Sequence, residues 1–289
     1  VRFAVLAPVA APGRRRLEHR LGAGRLLDAA ELGDELETNV EAAFEREPVD
    51  LIVSWFWTRR LPASWLARAP LGGIGAHPSL LPRHRGPNPY FAAIDRGDRE
   101  TGVTIHRLTA EYDDGELLAE RRLVIGELDA WQLARALDRP SLALLRETVA
   151  AVSGGRLPRG EPQDPREATW AAEPSGDELR VSWTWPTERV LRRIRALAPV
   201  PGLALDVEGL ELSVTRAARA TDYPSALEPG EAAVFGTPPA LILRTGDGAI
   251  RVERGVLETG DEADQVLGRI ELAEVVATHL AQGSPGRLG

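Results

Sequence analysis

One stretch constrains the fold more than any other. Asp50 opens the run Leu51-Ile52-Val53-Ser54-Trp55-Phe56, nearly continuous in apolar residues and only six residues long. A strand that faces solvent alternates, whereas a run like this belongs to a parallel strand covered on both faces. A shorter apolar segment, Arg2 to Val9, is bounded by Ala-Pro and Pro-Gly signals and reads as a second buried strand. A basic helical stretch near Arg14 to Leu21 and a helix over Glu35–Arg46 lie between them. Strand, helix, buried strand predicts a doubly wound α/β domain. The first strand carries no G-x-G-x-x-G, so a dinucleotide fingerprint is absent. Ligands of such sheets still sit at the carboxyl ends of the strands.

Val103 to Leu108 alternates as a strand, and a further strand is expected over Leu117–Ile125. Asp129 to Val152 reads as a long helix that Pro140 should kink or split. Ser153 to Arg166 is rich in Gly, Pro and charge, as linkers are. Beyond it the pattern changes to a helix over Thr187–Leu197 and short strands at Leu203–Val207, Leu210–Thr215, Ala232–Phe235, Ala240–Leu243 and Ala249–Val252. A closing helix is expected over Glu271–Ala281. Short, evenly spaced strands predict a small barrel. The expected division is 1–152 for an α/β domain, 153–169 for a linker and 170–289 for the barrel domain.

Composition removes several chemistries. The 289 residues suggest two domains. With no Cys there is no thiol nucleophile, disulfide or cysteine zinc site. The sequence contains no Lys, which excludes a Schiff-base lysine and a Walker-type phosphate loop. The net charge of −8 does not attract nucleic acid as a whole. No run reaches membrane-spanning length, and neither signal peptide nor metal is expected, so a cytoplasmic location is the expectation.

Three clusters could carry chemistry. Gly73-Ile74-Gly75-Ala76-His77-Pro78-Ser79-Leu80-Leu81-Pro82 starts as a strand and ends in a proline-locked loop, with His77 near the strand's carboxyl end. A loop histidine bonded to backbone fits the same pattern. Arg83 to Tyr90 is a rigid basic turn that could hold an anion at a helix N-terminus, or simply face solvent. Glu111 to Glu116 is an acidic turn between strands, and such residues are ordinary turn formers.

Taken together and in order, His77-Pro78-Ser79-Leu80-Leu81-Pro82, Arg85-Gly86, Thr101-Gly102-Val103-Thr104 and Asp113-x-Gly115 resemble the signature of 10-formyltetrahydrofolate-dependent formyltransferases. Trp57-Thr58-Arg59-Arg60-Leu61-Pro62 looks like that family's folate-side loop. Ala168-Thr169-Trp170-Ala171, Ile194-Arg195-Ala196-Leu197, Pro199-x-Pro201-Gly202, Glu228-Pro229-Gly230 and Thr245-Gly246-Asp247-Gly248 are similar to the carboxyl domain of the methionyl-tRNA formyltransferases. The resemblance implies a Rossmann-like, mainly parallel sheet followed by an OB-like barrel. It implies 10-formyltetrahydrofolate as co-substrate and His77 as the proton shuttle, oriented by Asp113. It further implies a folate site built from Trp57, Arg59, Arg60, Leu61, Ser79, Leu80, Leu81, Pro82, Gly86 and Asp113.

One position departs from that pattern. The family carries Asn two residues before the histidine, where this chain has Gly75. An oxyanion donor of that kind is worth about 10²–10³ in turnover. Either His77 alone or a nearby donor such as Asn88 or His106 compensates, or the enzyme is slow, or the site binds folate without transfer. By position, His106 reads as a strand residue facing core or solvent, and Asn88 as a turn residue before Pro89. Initiator methionyl-tRNA is the expected acceptor, with an amino sugar nucleotide or other small amine as the alternative. Arg189, Arg192, Arg193 and Arg195 offer a positive footprint for RNA on the second domain, or a solvated helix face. A monomer is expected.

Overall fold

The computed structural model describes residues 2–6, 25–27, 42, 45, 47–55, 57, 60–152, 157–258 and 264–282. The expected helix at 14–21, nearly all of the one at 35–46, and the positions of Phe56, Thr58 and Arg59 lie outside them. The chain forms two compact units. The first holds most of the residues up to Glu173, and the second holds Pro174 onward together with 94–98 and 126–132.

In the first unit, six strands form one sheet in the order β2-β1-β3-β4-β5-β6. Their ranges are β1 Phe3–Leu6, β2 Arg25–Leu27, β3 Leu51–Trp55, β4 Gly73–His77, β5 Glu100–Arg107 and β6 Leu117–Val124. The first four are parallel, and β5 and β6 run antiparallel at one edge. Every residue of β3 is buried, as its apolar run predicts. On one face Ala4, Leu6 and Ile52 pack with Trp65 of the short helix α1 (Ala63–Arg68). On the other, the Trp55 indole donates to Ser141 Oγ at 2.9 Å. Ser141 belongs to α3 (Ala130–Ala151), which buries Leu133, Leu137, Leu144, Leu145 and Thr148 along one stripe. Full burial of each large apolar side chain contributes about 1.5–3 kcal/mol. Helix α3 continues through Pro140 rather than splitting there: the proline removes one backbone donor, and the buried stripe on both sides holds the helix together.

The second unit holds an antiparallel sheet, β7-β8-β11-β10-β9, with β12 also on β11. These are β7 Leu203–Val207, β8 Leu210–Arg219, β9 Ala232–Phe235, β10 Ala240–Arg244, β11 Ala249–Leu257 and β12 Gln265–Gly268. Strand β11 pairs β10 through its first half and β12 through its second, with an irregularity at Val252/Arg254/Gly255 between them. A strand bent at a bulge and shared by two partners in this way makes the corner of a barrel-like sheet. Two helices accompany it, α4 (Thr187–Leu197) and α5 (Arg269–Gln282). The backbone N–H of Thr187, the first residue of α4, donates to Asp247 Oδ1 at 2.7 Å, which explains the Thr245-Gly246-Asp247-Gly248 turn.

Of the four arginines expected to face RNA, two are committed inside this unit. Arg193 is 4% exposed. It bonds Asp95 through Nε at 2.6 Å and Nη2 at 3.0 Å, and its Nη1 donates to the carbonyls of Asp177, Glu178 and Arg180. Arg195 pairs with Glu127 at 2.8 Å and with Glu188 at 3.7 Å. Arg189 lies over the Trp185 ring at 4.3 Å, and Arg192 donates to the Asp95 carbonyl at 3.4 Å. Arg193 therefore cannot serve in a footprint: it lies on the buried stripe with Val190, Ile194 and Leu197.

Candidate active site

A cavity of about 310 Å³ opens in the first unit, at the carboxyl ends of β3 and β4. That volume lies at the lower end of small-molecule sites. Ser54, Gly75, Ala76 and His77 line it from the sheet, and Trp57, Arg60, Leu61, Gly86, Tyr90, Leu108, Tyr112, Asp113 and Trp170 from the surrounding segments.

His77 and Asp113 meet on its wall, with Nδ1 and Oδ2 3.4 Å apart. Position 77 is the last residue of β4, as expected, and His77 Nε2 lies 2.7 Å from the carbonyl oxygen of His84. A carbonyl only accepts, so this ring nitrogen carries the hydrogen and Nδ1 is the one turned to the carboxylate. Asp113 adopts a left-handed backbone at φ 53°, which aspartate tolerates better than most residues. Its Oδ2 accepts the Gly86 backbone N–H at 2.9 Å.

A second histidine shares that carboxylate. His106 Nε2 lies 3.5 Å from Asp113 Oδ1, and its Nδ1 lies 2.9 Å from the Arg107 carbonyl oxygen. The two imidazoles are edge to face, with centroids 6.5 Å apart. His106 is 3% exposed, and burial pushes its pKa down to about 4 against the opposing pull of Asp113. Of its two expected placements, core and solvent, the buried one holds, and the ring also lines the cavity. An alternating strand reveals two faces but not which of them borders a cavity.

Gly75 leaves this ring room where it lies. Gly73, Gly75 and His77 occupy alternate positions of β4 and so share a face. A Cβ on Gly75 would lie 2.8 Å from Leu108 Cδ2 and 2.9 Å from His106 Nε2; one on Gly73 would lie 2.8 Å from Leu108 Cδ1. The two glycines clear the floor on which Leu108 and His106 lie.

The segment 157–173 completes the site. The Gln163 carboxamide donates to the carbonyls of Asp113 and Gly115 and accepts from Arg85. Arg85 and Trp170 form a parallel bridge, and Trp170 packs over Gly86, where φ is 103° and any Cβ would lie 2.9 Å from the indole. Trp170 and Tyr112, both partly exposed, meet edge to face at the cavity rim. Sequence reasoning gave Gln163 no role, because it sits in a stretch without periodicity.

Of the folate residues implied by resemblance, Trp57, Arg60, Leu61, Gly86 and Asp113 line the cavity. Ser79, Leu80, Leu81 and Pro82 are not among its lining residues. Ser79 Oγ donates to the Arg83 carbonyl at 2.6 Å, Leu81 N–H to Thr104 Oγ1 at 3.1 Å, and Thr104 Oγ1 to the Ser79 carbonyl at 2.7 Å. They form the packed turn behind His77. Arg59 lies outside the described residues. Asn88 Oδ1 accepts the Phe91 N–H at 3.1 Å and so caps helix α2 (Pro89–Arg96), as its position before Pro89 suggests. Among the described residues no three His, Asp or Glu side chains are grouped to hold a metal, and no helix is long and apolar enough to cross a membrane.

Comparison with known proteins identifies the family. Residues 9–148 match the model of the formyl transferase family, and residues 175–265 match that of the formyl transferase C-terminal domain. A methionyl-tRNA formyltransferase from Janthinobacterium sp. (strain Marseille) is 35% identical over 75% of this chain and 68% of its own length. One from Bordetella petrii is 38% identical over 66% of this chain and 60% of its own length, so the match spans less than two thirds of that relative. HypX from Aquifex aeolicus, solved in complex with tetrahydrofolic acid, superposes on 96% of this chain and 47% of its own with a TM-score of 0.71. At 23% identity that likeness speaks for the fold alone. The chain belongs to the formyl transferase family, and it carries both the amino-terminal and the carboxy-terminal domain of that family.

Proposed function

We propose that the protein is a folate-dependent N-formyltransferase, moving a formyl group from 10-formyltetrahydrofolate to a primary amine, with initiator methionyl-tRNA as the acceptor. The observation that carries this reading is the meeting of His77 and Asp113 on the wall of one cavity. Transfer to an amine requires the nucleophile to lose a proton and the folate nitrogen to gain one. Both imidazoles commit one nitrogen to a backbone carbonyl and turn the other toward the same carboxylate. That arrangement accepts a proton from the amine, holds it as an imidazolium beside Asp113, and returns it to the leaving nitrogen.

The cavity suits the folate chemistry. Trp57 Nε1 is buried without a hydrogen-bond partner among the described residues, a donor available to a heteroaromatic ligand. Arg60, ion-paired with Glu111, stands on the same wall, and Tyr112 and Trp170 offer aromatic faces at the rim. The names of the sequence relatives support methionyl-tRNA as acceptor. The net charge of −8 and the internal use of Arg193 support the second reading, a small amine such as an amino sugar nucleotide.

An acceptor screen tests this. Purified protein with 10-formyltetrahydrofolate is offered charged initiator tRNA and amino sugar nucleotides in parallel. Formylation of the tRNA, weakening steeply with salt, is expected. Transfer to the sugar alone selects the second reading, and transfer to no amine ends both.

A further inference from the structure

We infer that Ser54 is a catalytic residue of this site, its hydroxyl donating to the formyl oxygen as that oxygen takes on negative charge. The inference rests on the formyl-transfer reading above. It starts from an oddity of β3, where one polar side chain stands in an otherwise apolar and wholly buried strand. Ser54 is 8% exposed, and among the described residues its hydroxyl has no hydrogen-bond partner. Burial without a partner is unfavourable for a hydroxyl, and alanine would fill the same place at no such cost.

Alternation along the strand aims this side chain. Trp55 reaches Ser141 on the α3 side, and Ile52 packs with Trp65 on the α1 side, so Ser54 shares the face of Ile52. Ser54 is the register partner of Gly75 in the parallel β3–β4 pair, and His77 lies two residues further along β4. All three line the cavity. Strand spacing puts the Cα atoms of Ser54 and His77 about 8 Å apart. A tetrahedral carbon bearing an oxygen and a nitrogen fits between the two side chains, with one hydrogen bond to each.

The neighbouring polar groups are already committed. His77 and His106 spend their ring hydrogens on the carbonyls of His84 and Arg107, and Asp113 only accepts. Thr109 Oγ1 is taken up by the Glu111 carbonyl and by Asp114, and position 75 has no side chain. When the amine attacks the formyl carbon, the new C–N bond forms and the carbonyl π pair moves to oxygen. The Ser54 O–H donates to that oxygen and keeps its proton throughout. The amine proton passes to His77 Nδ1, beside Asp113. As the oxyanion re-forms the carbonyl, the C–N bond to the folate breaks and the departing nitrogen takes that proton. A hydrogen bond that strengthens as charge develops raises kcat rather than affinity.

Ser54→Ala tests this, read by kinetics across pH, by quenching of tryptophan fluorescence on folate binding, and by thermal melting. Turnover is expected to fall about 10²-fold with folate affinity kept. The melting temperature should be no lower than that of wild type, because the lost hydroxyl had no partner. The pH profile should run parallel to that of wild type, because serine does not titrate in this range. S54A with wild-type kcat overturns the assignment. A loss confined to folate affinity also overturns it, making Ser54 a binding group, and a displaced pH profile does so by placing the effect in His77. A lower melting temperature would mean that the hydroxyl is already bonded, which removes the premise. If wild-type protein transfers formyl to no acceptor, the underlying reading fails, an outcome distinct from active wild type with an indifferent S54A.

Discussion

The Gln163 side chain donates to the backbone carbonyl of Asp113 at 2.8 Å and to that of Gly115 at 2.7 Å, while its own oxygen accepts from Arg85 Nη2 at 2.6 Å. One amide thus fixes the loop that presents the carboxylate to both histidines. Replacing it by Glu keeps the acceptor for Arg85 and deletes the two donors. A displacement of about 1 Å at a reacting group can cost up to 10²-fold in rate, so Q163E should lose roughly 10- to 100-fold in kcat with little change in folate affinity. Steady-state kinetics beside a binding titration would check this. An unchanged kcat would mean that the left-handed turn at Asp113 holds without help.

His77→Ala should lower turnover by about 10²–10⁴-fold, the usual worth of a positioned acid–base group. D113N should do nearly as much, because an amide cannot stabilise an imidazolium. If the two work as a unit, the double variant will be little worse than H77A alone. Rapid-quench measurement of formyl transfer at saturating folate decides it, and fully additive losses would separate the two residues.

The Trp57 indole offers a test that leaves the proton chemistry alone. Trp57→Phe retains a ring and removes the buried N–H that has no partner among the described residues. If a ligand accepts from it, folate affinity should weaken roughly 3- to 10-fold, the worth of one net hydrogen bond. Calorimetry on both proteins reports it. Equal affinities would leave that donor without a ligand role.

Burial holds the His106 pKa at about 4, against about 6.5 in an unfolded chain. Between those values the unfolded chain binds a proton that the folded one refuses. Stability from this group is therefore full above pH 6.5 and falls as the pH drops toward 4. Urea titrations at pH 7.5 and pH 5 should show wild type losing more stability on acidification than H106Q does. Parallel losses would place the His106 titration elsewhere.

Arg193 and Asp95 make a buried bidentate pair, and three backbone carbonyls take the remaining donors. Removing one partner leaves an uncompensated buried charge, so R193A should cost about 3–5 kcal/mol. Chemical denaturation measures that loss. If the second unit contacts RNA at all, R193A assayed under native conditions should leave the salt dependence of binding as it was, because this guanidinium is not on the surface.

The legible parts of this molecule were those with local signatures. The run at Leu51 declared a doubly covered strand, and the order of His77-Pro78-Ser79, Arg85-Gly86 and Asp113-x-Gly115 declared the family and the two residues that meet. The illegible parts depend on what a neighbouring strand leaves empty. His106 looked like any strand histidine, and only the alternation Gly73, Gly75, His77 on β4 hinted that something lies across it. By sequence β8 and β11 should end early, because their far ends carry arginines and a glycine, yet pairing on both edges of β11 keeps them extended. Its charge points Arg193 to the surface, yet it shares a stripe with Val190 and Ile194.

The stretch from 157 to 173 has a practical bearing. Its backbone is bonded to Pro82, Arg85 and Leu117, and it brings Trp170 to the cavity and Gln163 to the loop that carries Asp113. A polypeptide cut at Val152, where the last helix of the first sheet closes, would keep all six strands and their hydrophobic layers. If the formyl-transfer reading holds, such a fragment should bind folate more weakly and turn over more slowly than the longer chain. Extending the fragment to Glu173 should restore the grip, so the working edge of this half lies some twenty residues beyond the point where its secondary structure stops.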